Sequence, residues 1–212
     1  MRDCIFLVAD TNMSEALTGF LGRERFHESL GTAPFRFDPR EDLVVASGDN
    51  DPGLFVRAHE LLLVYQKSHR YAVVVVDAAW EGSPGAAEIR SKMTERLTAN
   101  GWAADACRVI VIDPELENWI WQKNVHVARA LGFETRDEML DLVAAVSGWP
   151  EGQEKPSAPK ETLETVLRRR KIPRSASLYR RITSQVSIKG CRDRAFSELL
   201  QALHTWFPAV RS

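Results

Sequence analysis

The sequence predicts an α/β fold: a mainly parallel sheet of about four strands, covered by helices and followed by a helical C-terminal extension. Three observations predict it. Short apolar runs that end in aspartate recur along the first half of the chain. Amphipathic segments of about 10–16 residues separate these runs, which is the spacing of βαβ units. Beyond residue 125 only helical patterns remain.

The first half of the predicted sheet consists of two strands. Residues 4–9 are almost wholly apolar, which indicates a strand that is buried on both faces. A helix is predicted at residues 15–22, with Ser14 as its N-cap. The second strand is predicted at residues 43–46. A cluster of turn residues then leads into an amphipathic helix at residues 54–68.

The second half of the predicted sheet contains the clearest strand, at residues 71–76. Its four consecutive valines favour a strand over a helix, because β-branched side chains are stiff at χ1. A helix is predicted at residues 84–99, with Ser83 before Pro84 as its N-cap. The fourth strand is Cys107–Ile112, and a short helix is expected at residues 115–122.

The remainder of the chain has the pattern of helices. They are predicted at residues 125–131, 136–146, 161–170 and 194–207, with a further helical segment between 178 and 188. The predicted organisation is an α/β domain at residues 1–124 and a helical, basic extension at residues 125–212 that packs on it.

Composition narrows the class of protein. The chain has 212 residues, of which 44% are hydrophobic and 27% charged, as in an ordinary globular protein. No apolar run approaches the roughly 20 residues that span a bilayer. The apolar stretch near the N-terminus is too short for a signal peptide, so a cytoplasmic location without membrane contact is predicted. Three cysteines without a close pair argue against a disulfide framework and a zinc site.

Charge is divided unevenly along the chain. Residues 1–150 hold 15 basic and 23 acidic residues, a net charge of −8. Residues 151–212 hold 13 basic and 6 acidic residues, a net charge of +7. The division predicts either two solvated faces of opposite sign, or an acidic metal site beside a surface for a polyanion.

Carboxylates follow every predicted strand. Because ligands bind at the carboxyl ends of the strands in an open α/β sheet, these side chains are expected to share one edge. Close carboxylates repel each other, and a divalent cation removes that cost; oxygen ligands suit Mg²⁺ or Mn²⁺. Aspartate also follows strands simply because it starts turns and caps helices. The carboxylates in question are Asp10, Asp49, Asp51, Asp77, Glu81, Asp113, Glu115 and Glu117.

The strongest basic run is expected either to contact phosphates or to form a solvated helix face. A phosphate-contacting surface would make nucleic-acid binding salt-dependent. On a solvated face, the arginines would instead pair with nearby acids such as Glu161 and Glu164. The predicted nucleic-acid-binding residues are Arg168, Arg169, Arg170, Lys171, Arg174, Arg180 and Arg181.

Three segments together resemble a known family. Val-Ala-Asp-Thr-Asn-Met-Ser-Glu at residues 8–15 and Val-Val-Val-Asp-Ala-Ala-Trp-Glu at residues 74–81 resemble the two acidic motifs of the Toprim fold. Residues 112–121 resemble the Pro-x-x-Glu-x-Trp segment of small Toprim-like proteins, which also carry a Lys-Pro-rich stretch like residues 155–160. The chain is most similar to the Toprim-like component of methylation-associated phage-defence systems.

This resemblance implies a metal-dependent nuclease subunit of a bacterial anti-phage system, with nucleic acid and other subunits of the system as partners. It implies Mg²⁺ or Mn²⁺ held by Asp10, Asp77 and Glu117, with Glu81 or Glu115 as a further ligand or general base. Asp10 and Ala79 depart from the family, which has a glutamate and a second aspartate at these positions.

Two alternatives remain open. A degraded metal site would leave a non-catalytic subunit that binds protein or nucleic acid. Residues 8–12, Val-Ala-Asp-Thr-Asn, also resemble the opening motif of the PIN-like nucleases.

Overall fold

A four-stranded, all-parallel sheet forms the centre of the protein, as the sequence predicted. The computed structural model describes residues 1–46, 48, 50–147, 149, 152–153, 155–188 and 191–209. The strand order is β2-β1-β3-β4. The strands are β1 (Arg2–Val8), β2 (Leu43–Val45), β3 (His69–Asp77) and β4 (Cys107–Ile112).

Ten helices surround this sheet in the part of the chain that the structure describes. They are α1 (Thr11–Leu21), α2 (Phe26–Leu30), α3 (Asn50–Leu63), α4 (Ala86–Ala99), α5 (Glu117–Ile120), α6 (Val125–Ala130), α7 (Arg136–Ser147), α8 (Pro159–Arg170), α9 (Ala176–Thr183) and α10 (Arg194–Trp206).

Helix α3 covers Asn50–Leu63 rather than residues 54–68, and two of the predicted N-caps are wrong. Asp10, not Ser14, caps α1, because its Oδ1 accepts a hydrogen bond from the Met13 N–H at 2.8 Å. Gly85, not Ser83, is the N-cap of α4. Ser83 instead donates its hydroxyl to the Ala78 carbonyl oxygen at 2.6 Å, which closes the turn after β3.

The two faces of the sheet are covered by different sets of helices. Helices α3 and α4 pack on each other, α3 against β1 and β3 and α4 against β4. On the opposite face, α1 lies over β1 and β2, while α10 lies over β4. The rings of Phe20 in α1 and Phe196 in α10 are 5.1 Å apart and close this layer. The last helix of the chain therefore completes the cover of the sheet.

The C-terminal extension also contacts α1 closely. Gly19 in α1 faces α9, and a Cβ atom at this position would lie 2.7 Å from the Arg180 carbonyl oxygen. The Arg23 guanidinium crosses to the same helix and donates to the carbonyl oxygens of Thr183 and Val186. One hydrophobic core contains residues on both sides of the predicted boundary at residue 124, from Cys4 to Phe207.

All three cysteines are free thiols. Cys4 and Cys107 are buried, and Cys191 is half-buried. No helix in the described residues is both long enough and apolar enough to cross a bilayer.

Candidate functional site

The acidic residues after β1 and β3 lie at the point where the strand order reverses. β1 leads through α1 to β2 on one side, whereas β3 leads through α4 to β4 on the other side. In open α/β sheets, ligands bind in the crevice that this reversal opens outside the carboxyl ends of the strands. Val8 pairs with Val75 in parallel register. Asp10 lies two residues after Val8, and Asp77 lies two residues after Val75, so both lie at this crevice.

Asp51 is the third acidic residue of the crevice. It lies in the first turn of α3, and its Oδ1 accepts a hydrogen bond from the backbone N–H of Asp77 at 2.8 Å. Burial raises the pKa of Asp51, and the charge of Asp10 raises it further; the hydrogen bond from Asp77 acts in the opposite direction. Asp49, the other acid predicted after β2, lies outside the described residues.

Asp77 is the centre of this acidic cluster, which consists of Asp10, Asp51, Asp77, Glu115 and Glu117. Burial is the main cause that holds the pKa of Asp77 well above its ordinary value. The charges of the other four carboxylates raise it further. The Oδ1 atom of Asp77 is buried and accepts no hydrogen bond from the described residues. A buried, unpaired oxygen among carboxylates is costly, and a bound cation would remove the cost.

Asp42, at the amino end of the strands, is a buried carboxylate whose charge is compensated by its neighbours. Its side chain is 1% exposed, and Arg2 Nη2 donates to Oδ2 at 2.7 Å. His69 Nε2 lies 3.2 Å from Oδ1. Burial alone would raise the pKa of Asp42, but its hydrogen bonds, led by that from Arg2, lower it. Asp77 has no such partners among the described residues.

Glu117 belongs to the acidic cluster but has cationic and hydroxyl partners of its own. It is 3% exposed, and its Oε1 accepts hydrogen bonds from the Tyr179 hydroxyl at 2.6 Å and from Arg174 Nη2 at 2.9 Å. Burial raises the pKa of Tyr179, and the charge of Glu117 raises it further. Arg174 also contacts Glu164, at 2.5 Å. The charge of Glu117 is therefore compensated within the protein.

The start of α8 supplies a second cation to the cluster. Glu115 Oε1 accepts a hydrogen bond from the backbone N–H of Lys160 at 2.8 Å. Burial raises the pKa of Glu115, whereas that hydrogen bond and the charge of Lys160 oppose the rise. The same ammonium group lowers the pKa of Asp51. Lys160 is exposed, so its charge lies at the mouth of the crevice.

The predicted trio of metal ligands is not assembled as a ready site. In the described part of the chain, no group of three or more His, Cys, Asp and Glu side chains is arranged to hold a metal ion. Asp10 and Asp77 share the crevice, but Arg174 and Tyr179 hold the carboxylate of Glu117. Glu81 lies exposed in the turn after β3, and its charge is not among those that raise the pKa of Asp77.

Four of the seven predicted nucleic-acid-binding residues contact other parts of the protein. Arg174 pairs with Glu117 and Glu164, Arg180 with Glu15, and Arg181 donates to the Ala130 carbonyl oxygen. Arg170 bonds to the Gly132 carbonyl oxygen and stacks over Phe133. Glu164 is one of the nearby acids named for a solvated face. The other partners lie in α1, α5 and α6 and in the segment after α6, because α8 and α9 fold back on these parts of the chain.

The other three, Arg168, Arg169 and Lys171, are exposed, and no ion pair joins them to a described carboxylate. Helix α8 begins at the acidic cluster with Lys160 and reaches Lys171 eleven residues later, roughly 16 Å along its axis. Replacing Arg168, Arg169 and Lys171 by Gln is expected to weaken duplex binding at every sequence. The slope of log K against log salt should fall by about 0.9 for each phosphate that the variant no longer binds.

Titration of a fluorescent duplex at several salt concentrations measures this slope. The control is Arg40→Gln on the exposed loop before β2, which removes one positive charge elsewhere and should leave the slope unchanged. Equal slopes for the wild type and the triple variant would mean that this surface does not bind nucleic acid.

Two residues of the site, Lys160 and Tyr179, were not predicted. They had no local signal, since they reach the cluster only through the fold of the extension. Asp51 was predicted to share the acidic edge, because it follows a predicted strand, but it was not predicted as a metal ligand, and its sequence is also typical of a turn.

Comparison with known proteins adds no family to this description. No family model, no curated protein and no solved structure gives a significant match to the chain.

Proposed function

We propose that the protein is a metal-dependent phosphodiesterase that cleaves nucleic acid, of the Toprim-like kind that its motifs resemble. One observation carries the proposal: the half-buried Asp77, whose Oδ1 is buried and has no hydrogen-bond partner among the described residues, lies beside Asp10 and Asp51 in the crevice of an open parallel sheet. Carboxylates gathered in this way are suited to a divalent cation. The role of the protein in an anti-phage system, with other subunits, rests on the resemblance alone.

The residues that would hold Mg²⁺ or Mn²⁺ are Asp10, Asp51 and Asp77. Because these three side chains are not arranged as a ready site, they would have to turn toward the ion on binding. When bound, such an ion polarises a phosphoryl oxygen and lowers the pKa of a coordinated water. Asp77 supplies an oxygen that has no competing partner in the described residues, and Asp51 is held against β3 by its bond to the Asp77 N–H. Glu117 would not bind the ion directly, since Arg174 and Tyr179 hold its carboxylate.

The remaining polar groups have roles in holding the substrate and the site. The exposed ammonium of Lys160, next to Asp51 and Glu115, would attract the phosphate backbone to the crevice. The backbone N–H of Lys160 holds Glu115 in place. Glu115 is the candidate proton acceptor, since its raised pKa lies nearer to neutral pH. Arg174 positions Glu117 and so fixes α5 against α8 and α9.

A second function is favoured by one contact. The bonds from Arg174 and Tyr179 to Glu117 compensate a carboxylate that a metal site would otherwise use. Together with Ala79 in place of the second family aspartate, they suit a subunit that binds nucleic acid or protein without cleaving it. A PIN-like nuclease would share the reaction class and the role of Asp10.

Metal binding separates the two functions. We expect Mn²⁺ at about 100 times its Kd to stabilise the wild type by about 2.7 kcal/mol, because only the folded chain gathers the carboxylates. For a chain of this length, this corresponds to a rise in melting temperature of roughly 5–11 °C. Differential scanning fluorimetry measures this shift, and a labelled duplex and single strand measure cleavage under the same conditions.

The matched control is Asp10→Asn, which removes a charge from the crevice but keeps the volume and a capping side chain for α1. This variant is expected to lose both the shift and the cleavage. Stabilisation without cleavage of any DNA or RNA would refute the nuclease function. No shift with Mn²⁺ or Mg²⁺ at millimolar concentration would refute the metal site and support the binding subunit.

A further inference from the structure

Glu117 lies in the acidic cluster, but two donors hold its carboxylate through a single oxygen atom. Burial raises the pKa of Asp77 most, and among the neighbouring charges only that of Asp51 raises it more than that of Glu117. The carboxylate of Glu117 is therefore close to Asp77. Both of its hydrogen bonds, from Tyr179 and Arg174, end on Oε1, and no described residue donates to Oε2. Glu117 thus has the place of a metal ligand, and these two donors keep it from acting as one.

Arg174 holds Glu117 from a position that solvent reaches. The Arg174 side chain is 33% exposed, whereas that of Glu117 is 3% exposed. The other carboxylate partner of the guanidinium, Glu164, is 41% exposed, and an exposed ion pair contributes little to stability. A ligand that arrives from solvent therefore reaches the guanidinium and replaces Glu164 at little cost.

The charges around Arg174 favour a phosphate as this ligand. Burial raises the pKa of Glu115, and the charges of Lys160 and Arg174 both act against the rise. Two cations thus lie on this side of the crevice, and Lys160 is exposed. A guanidinium binds a phosphate through two parallel hydrogen bonds, whereas an ammonium attracts it as a point charge. A nucleic-acid backbone that enters the crevice meets both cations beside the proposed metal site.

From these contacts we infer that nucleic-acid binding releases Glu117 to the metal ion. A backbone phosphate takes Arg174 from its two carboxylate partners, and the freed Glu117 turns toward the ion as a ligand in addition to the three aspartates. The ion then replaces Arg174 as the counter-charge, so no buried carboxylate is left uncompensated. The inference rests on the proposed function, since it concerns the same ion and the same substrate. It makes the contact between Glu117 and Arg174 the resting state of a site that is completed by its substrate.

The affinity for Mn²⁺ alone measures how firmly Glu117 is withheld. Tyr179→Phe removes one of the two bonds to Glu117, changes no charge and keeps the ring. We expect isothermal titration calorimetry to show roughly 10-fold tighter binding of Mn²⁺ than in the wild type, because a hydrogen bond to a charged group no longer opposes the release. In the Glu117→Gln background, the same change should leave the Kd for Mn²⁺ unchanged.

The affinity for a fluorescent duplex in EDTA measures the competition for Arg174. Glu117→Gln replaces the competing carboxylate by a neutral amide, so the duplex is expected to bind roughly 10-fold more tightly. This gain should be absent from the double variant Glu117→Gln with Arg174→Ala, which lacks the guanidinium. The matched control is Glu28→Gln, which removes a carboxylate that pairs with an arginine elsewhere, Arg25, and should not show the gain.

Melting curves establish that each variant is folded. The inference is overturned if Tyr179→Phe binds Mn²⁺ no more tightly than the wild type, or if Glu117→Gln binds the duplex no more tightly than Glu28→Gln. Its failure is distinct from failure of the proposed function. A wild type that binds Mn²⁺ and cleaves nucleic acid, with an unchanged Kd for Mn²⁺ in Tyr179→Phe, would keep the nuclease and reject the release of Glu117. If no variant binds Mn²⁺ at millimolar concentration, both are refuted.

Discussion

Asp77→Asn is expected to abolish metal-dependent cleavage while raising the stability of the metal-free protein. Both effects have the same cause. The half-buried carboxylate lies among four others, and its buried Oδ1 accepts no hydrogen bond from the described residues. Asparagine has nearly the same volume but no charge, so it removes the repulsion together with the ability to bind a cation. The gain in the free energy of unfolding should be about 1.4 kcal/mol for each tenfold decrease in the acid dissociation constant of Asp77 on folding.

The stability difference should depend on pH in a defined direction. The pKa of Asp77 in the folded protein is raised above its value in the unfolded chain, which is about 3.9. The protonated group therefore contributes its full stability below the unfolded pKa, and that contribution is lost as the pH rises through the folded pKa. Asp77→Asn has no such titration, so its advantage over the wild type should be absent at about pH 3.5 and grow toward neutral pH.

Melting curves in EDTA between about pH 3.5 and 8 measure this difference, and a cleavage assay with Mn²⁺ measures activity. The matched control is Asp141→Asn, the same chemical change at an exposed position of α7. This control should show neither effect. An Asp77→Asn variant that melts at or below the wild-type temperature throughout this range would contradict an uncompensated carboxylate in the crevice.

Arg174→Ala is expected to cost about 3–5 kcal/mol of the free energy of unfolding, because it leaves the buried Glu117 carboxylate without its cation. Glu117 is 3% exposed, and a charge at such a position is expensive without a partner. For a chain of this length, the melting temperature should fall by roughly 6–20 °C. Chemical denaturation at neutral pH measures the loss directly.

Arg168→Ala is the control for this prediction, since it removes an arginine that is exposed and has no ion pair with a described carboxylate. Its effect should stay within about 0.5 kcal/mol. The double variant Glu117→Gln with Arg174→Ala should recover much of the loss, because an amide in place of the carboxylate leaves no buried charge. If Arg174→Ala alone is as mild as Arg168→Ala, the arginine is not what holds α5 to the extension.

The architecture of the sheet could be predicted from the sequence because its signals are local. An unbroken run of valines favours a strand, and four apolar runs separated by helices indicate a parallel sheet. The shared edge of Asp10 and Asp77 follows from that architecture alone, since parallel strands all end at the same side. The first residues of the helices were less predictable. Ser14 and Asp10 are both residue types that cap helices, and only the path of the chain after β1 makes Asp10 the cap of α1.

The partners of the acidic residues were decided by the tertiary structure. Glu117 meets Arg174 and Tyr179 across 57 and 62 residues, and Lys160 reaches Glu115 across 45. Sequence periodicity does not predict contacts between residues so far apart, because helical and strand patterns relate residues only within a turn or two. By itself the sequence determined which edge of the sheet would be acidic and that the extension would be basic. The folding of that extension back over α1 and α5 decided which carboxylate is compensated and which is left unpaired, since the energy of a buried charge depends on what lies next to it in space.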